Sequence, residues 1–364
     1  MMADKKGTPL AGLPGFSEDI LAKLAAYWIV TCEDLVSTAV GEGGLAGLES
    51  VTGFTEDQVV NLTERAQAAL PPTVSFAPGD IQPHGLGALD EREPGEEKEL
   101  PPSFTPLPPS VDLRSGFGPV RNQGQRGTCV AHAGTAVREY LLGQQPPALE
   151  FSEQFHYWDC KQHDMIPNLG GTYIRVSMAR LQESGIALES AWPYNPNPIS
   201  GNEGQGPAPQ AAVNNATQYR ITSSTRLVPT DIEGLCQTLA QKKPISFAVP
   251  VYNYWFAEPV RSSGDIRLPL PGEPLAGGHA MCMVGYQRDE TTPGGGYFLV
   301  RNSWGESWAR NSALAPGYAR IPFEYIHQYA NSAFTAEASA GPMPEPSKSA
   351  WQKFADWLRR LFGG

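Results

Sequence analysis

The sequence predicts an α+β fold in which a helical lobe and an antiparallel β lobe follow a small all-α domain. An apolar run at helical spacing begins at Cys129, directly after a glycine-rich turn. Two apolar stretches typical of buried strands cover residues 279–286 and 297–302. Residues 15–20 read GFSEDI and return as GFTEDQ at residues 53–58, each copy with a Ser or Thr suited to capping a helix. This repeat places a helical bundle before the two lobes.

Composition and charge exclude several classes of protein. The chain has 364 residues, 41% of them hydrophobic, which is enough for more than one domain. Its net charge of -11 argues against general nucleic-acid binding. The N-terminus lacks the apolar core of a secretory signal, and residues 21–30 are too short to span a bilayer. Five dispersed cysteines, an odd number, suit a reducing compartment. We therefore expect a cytoplasmic protein.

Residues 1–70 are predicted to form a helical interaction module. The two capped helices flank a middle element at residues 28–35, and the whole resembles helix-hairpin-helix or SAM-like modules. Such modules bind DNA or partner proteins. The residues near the glycine turns are mostly acidic, so a protein partner for residues 10–70 is favoured over DNA. A purely structural appendage stays open as an alternative.

Cys129 is the candidate nucleophile of the following domain. A thiol at a helix N-terminus meets the positive end of the helix dipole, which lowers its pKa from about 8.5. His279 opens one predicted strand and Asn302 ends the next. Each residue alone has a structural interpretation as a buried thiol, a structural histidine or a turn asparagine. Their order and spacing together favour nucleophilic catalysis, which needs a nucleophile, a base and a group that orients the base.

Several separated motifs carry a resemblance to the papain-like cysteine peptidases over about residues 109–333. These motifs are Gln123 six residues before Cys129, VDLR at 111–114, FSEQ at 151–154, the pair Gly170-Gly171, WPY at 192–194, and NSWG at 302–305 followed by Trp308. The resemblance implies the papain-like two-lobe fold and a cysteine endopeptidase that acts on polypeptide substrates without a cofactor or metal.

The resemblance also implies a role for each matching residue. Cys129 and His279 would form a thiolate-imidazolium pair, with Asn302 orienting the imidazole. The side-chain amide of Gln123 would stabilise the oxyanion. The remaining matched residues would support the site, Trp304 by covering the His-Asn contact and Gly170 and Gly171 by lining the substrate cleft with their backbone. Two alternatives stay open: a scaffold protein that binds peptides without cutting them, and acyl transfer to an amine by a transpeptidase or ligase.

The sequence departs from the family at several positions. Arg126 stands where secreted relatives carry a disulfide cysteine, and no cysteine stands beside Gly170, so we expect that disulfide to be absent. His132 replaces an aromatic residue that the family commonly has; it is interpreted as a helix residue, with a second titrating group or a metal site formed with Cys129 as the alternatives. Two ligands are too few for a structural zinc site, which takes four, so no metal is expected. The long spacing between Cys129 and Asn302 implies insertions, for which 195–215 and 267–273 are the candidates, both expected as surface loops.

Two further segments flank the peptidase region. Residues 71–108 form a Pro/Gly-rich acidic linker, interpreted either as a tether or as a strand-like segment that lies in the cleft. A second linker at 334–350 leads to residues 351–364, where Trp351, Phe354, Trp357, Leu358 and Leu361 share one helical face. This amphipathic helix is expected to pack on its own domain, bind a partner's groove or lie on a membrane through residues 351–362.

Overall fold

The structure is a computed structural model that describes residues 5–74, 76, 84–91, 97, 106–143 and 149–338. The amphipathic helix predicted at 351–364 lies outside the described residues, as does most of the 334–350 linker. Among the helices that the structure describes, none combines the length and apolarity needed to cross a bilayer.

Four helices form the N-terminal part of the chain: α1 Glu18–Ala25, α2 Cys32–Val40, α3 Gly44–Thr52 and α4 Glu56–Ala68. The repeated Ser and Thr act as predicted, since Ser17 accepts from the Ile20 N–H and Gln58 closes a capping box at Thr55. The predicted middle element starts later than expected. Thr31 caps α2 through a box with Asp34, so residues 28–31 form the turn before the helix.

These helices pack on the segment 267–273, which the sequence analysis expected to be a surface loop. That expectation is wrong for its buried part, because Leu268 and Leu270 are nearly fully buried and Leu270 joins the core of the four helices. Gly47 is needed for this contact, since a Cβ there would come within 2.7 Å of Leu270 Cβ. The buried ion pair of Arg267 with Glu273 closes the loop.

The helical lobe is built on α5 Cys129–Tyr140, which packs against α6 Glu153–Lys161 and α7 Ile174–Glu183. Every residue of α5 from Cys129 to Glu139 is buried. Gly134 lets the helices approach closely, because a Cβ there would come within 2.5 Å of Ser177 Oγ on α7. A short helix, α8 Gln210–Ala216, ends the 195–215 insertion.

The β lobe contains one antiparallel sheet, which confirms the predicted α+β class. Its strands are β1 Ser110–Asp112, β2 Ser223–Arg226, β3 Ile245–Tyr252, β4 Leu275–Arg288, β5 Gly296–Arg301, β6 Tyr318–Pro322 and β7 Ser332–Glu337. The order is β2-β7-β3-β4-β5-β6, with β1 paired to β4. Three helices belong to this lobe: α9 Ile232–Ala240, α10 Val260–Ser263 and α11 Phe323–Tyr329. The adjacent strands β4 and β5 bring His279 and Asn302 together opposite the start of α5.

Candidate active site

Cys129 is the first residue of α5 and is fully buried. Burial raises the pKa of its thiol to about 11, although the backbone N–H groups of Ala280, Gly87 and Val130 lie near the sulfur and favour the thiolate. Ala280 follows His279 on β4, so the thiol faces the strand that carries the candidate base. In this state the cysteine is a neutral thiol.

His279 and Asn302 are hydrogen-bonded, with 2.8 Å between His279 Nε2 and Asn302 Oδ1. The same oxygen accepts the Ser303 N–H, which identifies it as the amide oxygen facing the ring. Nε2 therefore carries a proton, and Nδ1 is left as a buried atom without a hydrogen-bond partner among the described residues. Burial lowers the pKa of His279 to about 3, so the ring is neutral.

Trp304 covers the contact between His279 and Asn302. Its ring stacks on His279 with 4.5 Å between centroids, and it is fully buried. His84 stacks on Trp304 in turn, at 4.9 Å and nearly parallel. The tryptophan thus separates the His-Asn pair from water.

Gln123 lies beside the start of α5 with its side-chain amide fully engaged. Oε1 accepts from Ser303 Oγ at 2.6 Å, which fixes the amide orientation. Nε2 donates to the carbonyl oxygens of Arg126 and Gly85, both at 2.8 Å. The side-chain amide of the predicted oxyanion donor therefore already binds two peptide carbonyls.

The Gly85 carbonyl belongs to residues 84–91, named here the cleft segment, which lies between the two lobes. Gly87 N–H donates to the carbonyl of Gly278 on the β lobe at 3.0 Å. Thr172 of the helical lobe donates its N–H to the Gly87 carbonyl at 2.9 Å and accepts from the Leu89 N–H at 3.1 Å. Of the two interpretations of the 71–108 linker, these contacts correspond to the strand-like segment in the cleft.

At Gly85 and Gly87 the cleft is so narrow that it fits main chain without side chains. A Cβ on Gly85 would overlap the carbonyl oxygen of Arg126, and a Cβ on Gly87 would overlap that of Gly127. A Cβ on Gly278 would likewise overlap the Ala88 carbonyl oxygen. Bulkier residues at 85 or 87 would force the segment out.

Gly171 lines this cleft through its missing side chain. It has φ +88°, and a Cβ would come within 2.5 Å of the Gly87 carbonyl oxygen. Its own N–H and C=O are bound inside the wall, to Tyr157 and Lys161, and Gly170 is exposed. In this part of the helical-lobe wall, the main-chain hydrogen bonds to the cleft segment come from Thr172, the residue after Gly171. Sequence reasoning missed Thr172 because a role of the main chain leaves no residue-type signal.

His132 lies one turn after Cys129 and is a neutral residue of the helix. Its Nδ1–H donates to the Thr128 carbonyl at 3.0 Å, and the ring meets Tyr194 edge-on. Burial lowers its pKa to about 3, so it does not titrate near neutral pH. Across the described ranges, no cluster of three or more His, Cys, Asp or Glu side chains could bind a metal ion. All five cysteines are buried free thiols.

A solved structure of a cysteine protease shares this fold. The crystal structure of xylellain, a cysteine protease from Xylella fastidiosa, superposes with a TM-score of 0.61 at 27% identity, covering 70% of this chain and 97% of that one.

Among curated proteins, cysteine proteinase 3 of Entamoeba histolytica is 30% identical over 203 residues, covering 55% of this chain and 60% of that protein. Human cathepsin L2 is 26% identical over 232 residues, covering 60% and 62%. An uncharacterised peptidase C1-like protein of Acanthamoeba polyphaga mimivirus is 27% identical over 216 residues, covering 56% and 64%. The match thus spans less than two thirds of each of these relatives. The model of the family described as papain family cysteine protease matches residues 107–331, more than half of the chain. The chain therefore belongs to the papain family of cysteine proteases.

Proposed function

We propose that this protein is a cysteine endopeptidase that hydrolyses polypeptides. The observation that carries the proposal is His279, whose Nε2 is anchored by Asn302 while Nδ1 has no partner among the described residues. Cys129 faces the strand that carries His279, and a ring nitrogen free to accept its proton is what a general base for that thiol requires.

The residues supply each step of acyl transfer. With the cleft open to substrate, Nδ1 of His279 takes the proton of Cys129, and the thiolate attacks a peptide carbonyl carbon. The oxyanion is stabilised by Gln123 Nε2 and the Cys129 N–H. The C–N bond breaks as His279 protonates the leaving amine. Water, deprotonated by His279, then attacks the thioester, and the carboxylic acid and the free thiol are released.

The cleft segment explains why both reacting groups are neutral in this conformation. Cys129 and His279 are fully buried with the segment in the cleft, and the segment binds the N–H of Gln123 that the oxyanion requires. We infer that residues 84–91 keep the enzyme inactive and that they leave the cleft before substrate enters. Thiolate and imidazolium are then hydrated by water that the segment excludes, which favours the charged pair.

The test uses the full chain with Gly87→Val, because a side chain at 87 overlaps the Gly127 carbonyl and expels the segment. Cleavage of unstructured peptides by this variant should disappear when Cys129→Ala is added and persist with Cys236→Ala, a second buried thiol. Cleavage that survives Cys129→Ala would contradict the proposal. Peptide binding without cleavage would support the scaffold alternative, and products carrying an added amine would support acyl transfer.

A further inference from the structure

Lys161 is buried in the wall of the cleft, at the end of α6. Its side chain is 1% exposed, and its ammonium forms an ion pair of 2.7 Å with Asp164, whose side chain is fully buried. The same ammonium donates to the carbonyls of Leu169 at 2.7 Å and Gly171 at 2.9 Å. An ammonium has three N–H donors, and three acceptors surround this one. The buried ammonium therefore hydrogen-bonds to two carbonyls and is paired with a carboxylate at ion-pair distance, and such pairing is the condition for burying a charge.

Tyr157 fixes the other side of the Gly171 main chain. Its hydroxyl accepts the Gly171 N–H at 3.0 Å and donates to Glu203 Oε1 at 2.7 Å. Lys161 and Tyr157 thus bind the carbonyl and the N–H of one residue, and neither group of Gly171 is left for a ligand. These two contacts set the orientation of the main chain at the next residue, Thr172.

The main chain of Thr172 pairs with the cleft segment. Its N–H and C=O bind the Gly87 carbonyl and the Leu89 N–H. A peptide substrate has the same main-chain groups and meets the same wall. The position of Thr172 therefore decides whether a substrate makes these two hydrogen bonds.

The same part of the wall contains a second buried cation. Arg126 stands where secreted relatives have a disulfide cysteine, and it is 3% exposed. Its guanidinium bonds to Gln154 Oε1 at 2.7 Å and to the carbonyls of Asn195 and Glu203. Two buried cations thus bind main-chain carbonyls in a wall that has no disulfide.

We propose that Lys161 is a positioning residue for peptide substrates, acting through Gly171 to present the main chain of Thr172 to the substrate. The inference rests on the proposed function for the identity of its ligand. Lys161 touches neither the substrate nor the reacting atoms; it determines how firmly substrate main chain is bound.

The test compares variants in the full chain with Gly87→Val. Lys161→Met alone leaves Asp164 buried without its partner, so the principal variant is Lys161→Met with Asp164→Asn, which removes both charges. Lys242→Met, at an exposed lysine, is the matched control. Three quantities are measured: KM and kcat for a short peptide, the rate of Cys129 alkylation by iodoacetamide, and the Kd of a synthetic peptide of residues 84–91 with Cys129→Ala added.

In the double variant we expect KM and Kd to rise about tenfold, corresponding to the loss of one to two main-chain hydrogen bonds. The kcat and the alkylation rate should change less than about twofold, because the Cys-His pair is not touched. Unchanged KM and Kd would overturn the inference, as would an equal fall in kcat and alkylation, which indicates general loss of structure. If the Gly87→Val chain with Cys129 intact does not hydrolyse peptides while the Kd still rises in the double variant, the inference is supported and the proposed function is refuted.

Discussion

The side-chain amide of Gln123 donates a 2.8 Å hydrogen bond to the carbonyl oxygen of Gly85, an atom of the cleft segment. The chain thus places one of its own peptide carbonyls on the donor that the proposed chemistry needs for an oxyanion. Under the proposed mechanism, binding of the cleft segment and catalysis therefore exclude each other.

The contribution of Gln123 can be measured once the cleft is open. In the Gly87→Val chain, Gln123→Ala should lower kcat by about 10²–10³-fold with little change in KM, because the lost donor acts on charge that develops in the transition state. Gln125→Ala, at an exposed glutamine two residues away, is the control. The kcat is measured by steady-state kinetics with a short peptide. A kcat within twofold of that of the Gly87→Val chain would show that Gln123 does not stabilise the oxyanion.

Acidification should open the cleft through His84. Burial and the nearby Arg261 lower the pKa of His84 below its usual value of 6.5, so its proton is bound more weakly in the cleft than outside. The closed state therefore loses stability as the pH falls below about 6.5. Burial lowers the pKa of His279 in the same direction, whereas burial raises the pKa of Glu91, which opposes opening at still lower pH.

The measurement is the rate of Cys129 alkylation between pH 7 and 5.5, divided by the rate in Gly87→Val at the same pH. This ratio should rise on acidification in the unmodified chain. His84→Phe retains a ring to stack on Trp304 but cannot titrate, so its ratio should rise less. Equal pH dependence in both chains would exclude His84 as the titrating group.

The contact between the N-terminal helices and the β lobe should contribute to the stability of the chain. Trp28 is 1% exposed, its ring lies 6.4 Å from that of Tyr297, and the Arg320 guanidinium lies over it. We expect Trp28→Ala to lower the free energy of unfolding by about 3–5 kcal/mol. Val40→Ala, on the exposed side of α2, should stay within about 0.5 kcal/mol. Denaturant unfolding distinguishes them, and equal midpoints would show that Trp28 adds little.

The elements that carry the candidate site could be predicted because local patterns encode them. The helix starting at Cys129, the strand containing His279 and the strand end before Asn302 all follow from apolar periodicity and their flanking residues. The stacking of Trp304 on His279 agrees with the role that the resemblance implied for the NSWG motif at 302–305.

Main-chain contacts between distant segments could not be predicted in this way. Residues 84–91 have no strand periodicity, and their partners Thr172 and Gly278 use backbone groups that every residue type possesses. The 267–273 loop has the composition of an exposed turn, yet Leu270 is buried because another part of the chain covers it. The position of residues 84–91 and the burial of Leu270 both depend on tertiary contacts with distant parts of the chain.

The central claim is that Cys129 is a nucleophile kept inactive by the cleft segment. The most direct measurement is the rate of iodoacetamide alkylation of Cys129 at pH 7, read by peptide mass mapping, in the unmodified chain and in Gly87→Val. Gly118→Val is the control, since a Cβ at Gly118 meets nothing within 4 Å. We predict slow alkylation in the unmodified chain and the control and an increase of at least about tenfold in Gly87→Val. Equal rates in all three chains would contradict the account.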